Sequence, residues 1–175
     1  MEETPIGNTL EETAYHEAGH VVVAGAVGLD LMPKGIVIYE VGDLTDGWAF
    51  YWEDKPEWEG ILRALRAGQM AQLRRFPKSE FRGGKPDLDK FYRIVADHFG
   101  ANRFGELWGA ITDKVRSMLD AHWAAVVAIA EALVRGGWIP TESGEHASAR
   151  RKKHLGGDVL AAILAEHGIS AQVRR

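Results

Sequence analysis

Two histidines near the start of the chain, His16 and His20, are four positions apart in a stretch that is predicted to be helical. Because residues four apart lie on the same face of an α-helix, both imidazoles can bind a single metal ion. Glu17 lies one step round the helix, where its carboxylate can reach a metal-bound water rather than the metal, as a general base must. Zinc is the expected ion, since it accepts imidazole and carboxylate ligands and lowers the pKa of bound water to about 7.

The alternative is that the two histidines form a satisfied pair in the core without a metal. The surrounding sequence favours a metal site, because it predicts one well-defined apolar helix. Thr9 and Glu12 form a capping box at its start, valines and alanines follow the second histidine, and Gly28 can end it. Burying two polar rings in such a helix costs free energy unless a partner satisfies them, and a metal ion is such a partner.

A zinc site on this helix needs at least one more protein ligand, and two candidates lie close together in the sequence. The chain has no cysteine, so the ligand is expected to be His, Asp or Glu. Asp87 follows Pro86 at a predicted helix start, where an aspartate usually serves as a cap but is also rigidly placed to bind a metal. Asp89 is about 200° further round the same helix, so at most one of the two faces the metal.

The composition predicts a globular, cytoplasmic protein with a single domain, residues 1–175, and frayed ends at residues 1–8 and 167–175. Its 46% hydrophobic and 26% charged residues are typical of a chain that forms a packed core. With 21 Lys and Arg against 25 Asp and Glu, the formal charge is −4, which does not favour nucleic-acid binding. The acidic N-terminus lacks the features of a secretory signal, and no apolar stretch reaches the ~18 residues of a membrane span, so neither is expected.

The rest of the sequence predicts helices and a small antiparallel β ribbon. Residues 36–39 and 48–52 are β-branched and aromatic, and turn residues join them as a hairpin. The aromatic strand is either an ordinary half-buried sheet face or an edge onto which an extended peptide can add. The basic run at residues 150–154 is interpreted as a solvated loop or helix face. Further helices are predicted near residues 57–75, 86–99 and 158–166, and residues 106–135 are predicted to form one long amphipathic helix or a broken pair.

Residues 13–20, Thr-Ala-Tyr-His-Glu-Ala-Gly-His, resemble the first helix of the peptidase domain of the FtsH family of ATP-dependent zinc metalloproteases. Looser similarity continues in residues 62–71, which resemble the family's small-residue helix. Residues 83–90 resemble its glycine-rich loop, which ends in a zinc-binding aspartate. The resemblance spans roughly residues 10–135.

This resemblance implies a mainly α, zincin-like helical bundle with a small antiparallel β ribbon. The sequence differs from the family pattern in three places. Pro86 stands where the family has asparagine, Gln72 replaces a glutamate of the small-residue helix, and the bulky residues 91–92 replace an Ala-Thr pair. The residues that the resemblance places in the zinc site are the ligands His16, His20 and Asp87 and the catalytic base Glu17.

The resemblance also implies a reaction, which is zinc-dependent hydrolysis of peptide bonds in peptides or unfolded proteins by a metalloendopeptidase. The sequence contains no Gly-rich Lys-Ser/Thr phosphate loop, so ATP-driven unfolding of substrates would need a separate ATPase partner. An oligomer is compatible with the sequence, but the family's hexameric ring depends heavily on its ATPase part and is not assumed. The alternative function is a non-catalytic, metal-stabilised module that binds peptides or proteins. An intact Glu17 argues against it, because a structural zinc site needs no base.

Overall fold

The computed structural model describes residues 8–53, 57–79 and 85–175. These residues form a mainly helical fold with one small antiparallel sheet of four strands, which confirms the predicted fold class at this level. Residues 1–7 of the predicted N-terminal frayed end lie outside the described residues. So do the two glycines of the predicted loop, residues 83–84. The elements in chain order are α1 (Leu10–Ala26), β1 (Leu31–Val41), β2 (Leu44–Tyr51), α2 (Trp58–Arg75), α3 (Lys85–His98), α4 (Phe104–Arg135), β3 (Ile139–Pro140), β4 (Arg151–Leu155) and α5 (Gly157–Glu166).

Helix α1 lies at the centre of the fold, and local sequence sets both of its ends. Thr9 Oγ1 accepts the backbone N–H of Glu12 at 3.3 Å, while the Glu12 carboxylate accepts that of Thr9 at 2.9 Å. The predicted capping box is therefore confirmed. Gly28 takes a φ of 80° in the Schellman motif that ends the helix, as its position predicted. Every residue from 13 to 25 is buried, because α2, α4 and the sheet pack round this helix.

The β1–β2 hairpin confirms the predicted antiparallel ribbon, with longer strands than the sequence indicated. Its two-residue turn is Gly42-Asp43, and the φ of 62° at Gly42 is that of a type II′ turn. Because Val41 and Leu44 pair across the turn, Thr45 and every second residue after it direct their backbone N–H and C=O groups away from β1. The strand order is β2-β1-β4-β3, which leaves β2 at one edge of the sheet.

Strand β4 shows that the interpretation of the basic run, residues 150–154, as a solvated loop or helix face was wrong. The strand pairs with β1 inside the sheet. Lys153 is buried within it, and its ammonium donates to the carbonyl of Val134 at 2.9 Å and to that of Gly136. A charged segment can form an inner strand here because one long side chain reaches the free carbonyls at the end of α4.

Residues 167–175, predicted to fray, are instead attached to the sheet. The backbone N–H of Leu31 donates to the carbonyl of Gln172 at 2.8 Å, and that of Arg174 donates to the carbonyl of Leu31 at 3.0 Å. The indole N–H of Trp52 also donates to the Arg174 carbonyl, at 3.1 Å. The first residue of β1 therefore holds the end of the chain by main-chain hydrogen bonds. Because such bonds do not depend on residue type, the sequence did not predict them.

Helix α4 is the long element predicted at residues 106–135, and it is broken by a kink at His122, where φ is −118° and ψ is 19°. By length and composition, residues 101–135 are also apolar enough to cross a membrane. A mostly buried core helix of a soluble protein meets the same criterion, whereas 33% of this apolar window is buried and one face of α4 packs against α1 and α2. Length and composition alone do not assign a membrane span.

Candidate metal centre

The side chains of His16, His20 and Asp87 converge between α1 and the first turn of α3. Asp87 Oδ2 lies 3.1 Å from His16 Nε2 and 3.2 Å from His20 Nε2. The three ligand atoms lie within 4.8 Å of one another, close enough for one ion to contact all three. Asp89, the competing candidate, is exposed and lines a different groove. The geometry therefore favours Asp87 as the third ligand.

Hydrogen bonds on the far side of both imidazoles fix the orientation of the rings. His20 Nδ1 donates to the backbone carbonyl of Ala64 at 2.7 Å. His16 Nδ1 donates to Gln72 Oε1 at 3.1 Å. The Gln72 amide is oriented in turn, because its Nε2 donates to Asn8 Oδ1 at 3.2 Å. With both Nδ1 atoms acting as donors, both Nε2 atoms are available as metal ligands.

The electrostatics of this cluster favour a positive charge between its three groups. In a neutral ring of this tautomer, Nε2 carries a lone pair that faces an oxygen lone pair of Asp87. Burial by itself would lower the pKa of His20, but the charge and hydrogen bond of Asp87 outweigh it and raise that pKa to about 9. Burial would raise the pKa of Asp87, yet the charge of His20 and the hydrogen bond from His16 hold it well below its usual range. That positive charge can be a proton or a metal ion.

Gly68 on α2 leaves the space that an ion needs. A Cβ atom at this position would lie 2.3 Å from His20 Nε2 and 2.7 Å from His16 Nε2, closer than packed atoms approach. Small residues bring the two helices this close together, since a Cβ on Gly19 of α1 would lie 2.6 Å from Ala71 Cβ of α2. The small-residue pattern of α2 therefore serves to place its backbone against the metal-binding face of α1.

Glu17 is a buried acid beside this cluster. It is 5% exposed and lines the cleft described below. Burial raises the pKa of Glu17, although the two histidines oppose that shift. A Cβ on Gly47 would lie 2.9 Å from Glu17 Oε1, so the edge strand β2 passes directly beside the carboxylate. A largely desolvated carboxylate with a raised pKa, next to a cluster of possible metal ligands in a cleft, is typical of a functional position.

The ligands and Glu17 open onto a cleft of about 580 Å³ that is bordered by α1, α3 and the outer edge of β2. His146 lines the same cleft, although nothing in the sequence marked it as part of the site. It is a lone histidine in a polar segment, and its position depends on how the chain returns from α4 to β4. The role of Gln72 was also missed, because the sequence does not show which atom this side chain hydrogen-bonds.

Comparison with known proteins identifies no family, because no protein-family model matches the chain and no curated protein matches it. The resemblance to the FtsH peptidase domain stays a prediction based on short motifs. The functional proposal therefore depends on the geometry of the cleft.

We expect Gln72→Leu to weaken metal binding, because it removes the acceptor for His16 Nδ1–H and frees the ring to rotate. Loss of such an outer partner typically lowers metal affinity by about 10- to 100-fold. Competition with a chromophoric chelator measures the dissociation constant for zinc. Gln69→Leu is the matched control, since Gln69 lies on the same helix and accepts a hydrogen bond from Arg66 instead. Equal zinc affinity in the two variants would contradict the orienting role.

Proposed function

We propose that this protein is a zinc-dependent metalloendopeptidase with a zincin-like arrangement of its site. Two observations support metal binding. Three ligand atoms lie within 4.8 Å of one another, and the absence of a side chain at Gly68 leaves space beside both imidazole Nε2 atoms. The observation that carries the catalytic proposal is the position of the Glu17 carboxylate, which is largely desolvated, lines the cleft beside those ligands and lies next to an edge strand. His16, His20 and Asp87 would hold the ion. When bound, Zn²⁺ supplies a Lewis acid that polarises a peptide carbonyl and lowers the pKa of a water molecule.

The residues of the chain supply the proton transfers and the orientation. Glu17 accepts the proton of the attacking water and then passes it to the nitrogen of the departing amine, so that its carboxylate is regenerated. A raised pKa suits this task, because the acid must both take up and release a proton near neutral pH. Gln72 and the Ala64 carbonyl keep the two imidazoles in one tautomer throughout.

The outer edge of β2 gives a peptide substrate a place to bind. The backbone N–H of Thr45 already points outward, where it donates to the carbonyl of Asn8 at 2.9 Å. By the alternation of an antiparallel strand, Gly47 and Ala49 turn their backbone groups to the same side, along the cleft. An extended peptide can pair with these groups as an added strand. Such main-chain binding supports a substrate class of peptides and unfolded proteins.

Metal analysis combined with a cleavage assay tests the proposal. We expect the purified protein to bind zinc in a stoichiometric amount and to cleave β-casein, an unfolded substrate. A chelator should abolish the cleavage, and added zinc should restore it. If zinc binds but casein stays intact, the protein is the alternative, a non-catalytic metal-stabilised module that binds peptides or proteins. A separate ATPase partner, an oligomer and a cytoplasmic location stay predictions.

We expect Asp87→Ala to lose zinc, since it removes one of three ligands and leaves two imidazoles that bind more weakly. Asp89→Ala is the matched control, two residues away on the same helix and with an exposed side chain. Zinc content after dialysis, measured by atomic emission, should fall in the first variant and stay at the wild-type level in the second. The opposite result would transfer the ligand role to Asp89.

A further inference from the structure

An aromatic cluster occupies the face of the sheet that points away from α1. The His146 ring stacks on Tyr39 with a centroid distance of 4.8 Å and lies 5.9 Å from the Trp48 ring. Tyr39 is fully buried, the His146 side chain is 14% exposed, and Trp48 is 46% exposed. The Trp48 ring also lies 5.5 Å from the Tyr39 ring, so the half-exposed indole packs against two other rings, and it lines the same cleft as Glu17.

The hydrogen bonds of His146 fix its tautomer. Its Nδ1 accepts the backbone N–H groups of Ser148 and Ala149, both at 3.2 Å. The ring proton is therefore on Nε2, which faces Asp46 Oδ2 at 3.7 Å. This distance exceeds that of a hydrogen bond. The Asp46 carboxylate has no other ion-pair partner among the described residues, and its side chain is 55% exposed.

The loop that carries His146 is held in place by Glu145. The Glu145 carboxylate accepts hydrogen bonds from Lys152 Nζ at 2.6 Å, from the backbone N–H of Glu142 and from the Tyr39 hydroxyl, both at 3.1 Å. These bonds lower the pKa of Glu145 to about 2, and the hydrogen bond from Lys152 has the largest effect. The carboxylate therefore stays ionised at neutral pH, and His146 has a fixed position at the cleft.

The position of this cluster relative to Glu17 follows from the alternation of side chains between the two faces of β2. Gly47 faces α1 and lies beside the Glu17 carboxylate. Its neighbours Asp46 and Trp48 point to the opposite face of the sheet, towards His146. In a peptide added to the edge of β2, alternate side chains would also point to this face. The residue next to the one at Glu17 would therefore place its side chain against Trp48 and Asp46.

We propose that Asp46, Trp48 and His146 form a subsite for a basic side chain of the substrate, next to the bond that is cleaved. This proposal rests on the proposed function, which places the substrate peptide along the outer edge of β2. An indole ring is the best aromatic partner of a cation, and beside it lies the Asp46 carboxylate, whose one ion-pair contact among the described residues is His146. Arginine fits better than lysine, because its planar guanidinium can stack on Trp48 while it pairs with Asp46.

Mapping of cleavage sites in β-casein by mass spectrometry tests this subsite. In the wild type, Arg and Lys should be enriched about threefold or more at a position that flanks the cleaved bonds. Asp46→Asn should abolish the enrichment, and Asp46→Lys should replace it with a preference for Asp and Glu. Asp43→Asn is the matched control, since Asp43 lies in the exposed hairpin turn outside the cleft and should leave the enrichment unchanged. Because enrichment is a ratio within each digest, an effect of Asp46 on the overall rate cancels.

A binding experiment covers the case in which casein is not cleaved. Two fluorescein-labelled Gly-Ser peptides, one with a central Arg and one with Gln, are titrated with zinc-loaded Glu17→Gln protein, and the anisotropy is followed. The Arg peptide should bind about fivefold tighter, and a second substitution, Asp46→Asn, should remove the difference. That result without casein cleavage supports the subsite while the hydrolase proposal fails. If casein is cleaved with no basic preference, or if it is not cleaved and both peptides bind equally, the subsite is refuted.

Discussion

Glu17→Gln is expected to bind zinc as the wild type does and to cleave β-casein about 10²- to 10⁴-fold more slowly, the usual loss when a general base is removed. The amide has the shape of the carboxylate, so the packing beside Gly47 is retained. It cannot accept a proton from water at neutral pH. Since Glu17 is not one of the three metal ligands, the zinc content should not change. Cleavage rate and zinc content are measured on the same preparation.

Glu11→Gln is the control for this variant, because Glu11 is an exposed acid on the same helix and should keep full activity. A Glu17→Gln protein that cleaves casein at the wild-type rate would refute the base assignment. Loss of zinc together with activity would show instead that Glu17 contributes to binding the metal, which would also contradict its proposed role. Retained zinc with lost cleavage is the one result that fits a base.

Gly68→Ala is expected to lose zinc binding and activity together, because the added methyl group occupies the space between the two imidazole rings. Its Cβ would lie 2.3 Å from His20 Nε2 and 2.7 Å from His16 Nε2, so that the rings must turn away from the metal position. Such overpacking in a core typically costs about 1 to 3 kcal/mol of the free energy of unfolding. Zinc content after dialysis and urea unfolding measure the two effects.

Gly60→Ala in the first turn of the same helix is the matched control. The nearest atom to its added Cβ is Val27 Cγ2, at an ordinary contact distance of 3.4 Å. Here the substitution should keep zinc and stabilise the helix by about 0.5 to 1 kcal/mol, since alanine loses less backbone freedom than glycine on folding. A Gly68→Ala protein with full zinc content would show that the metal does not lie between these rings.

The parts of the site that the sequence predicted are those built within one helix. The capping box, the end at Gly28 and the shared face of His16 and His20 all follow from spacing along α1, and the structure has each of them. The choice between Asp87 and Asp89 did not follow, because it depends on which side of α3 packs towards α1. About half a turn of helix separates the two residues, and no local signal distinguishes them.

Other features were missed because their causes lie far away in the chain. Gln72 stands where the family that the sequence resembles has a glutamate, and its amide oxygen accepts the hydrogen bond of His16. The bulky Phe91, a second departure, is accommodated by edge-to-face packing against Trp108 at 5.0 Å. The burial of Lys153 and the position of His146 both depend on the return of the chain from α4 to the sheet. Residue types alone do not record such tertiary partners.

If the proposed hydrolase activity holds, strand β4 is also expected to determine when that activity appears during synthesis. It is the inner neighbour of β1, and its partner residues, such as Glu40 and Arg151, are 111 positions apart in the sequence. In a nascent chain that ends before β4, the edge of β1 that pairs with β4 has no hydrogen-bonding partner from that strand. The helix with both imidazoles has by then left the ribosome. Contacts between such distant segments form late. A half-made chain is therefore expected to hold its zinc ligands in an unfinished cleft, which would protect neighbouring nascent chains from premature cleavage.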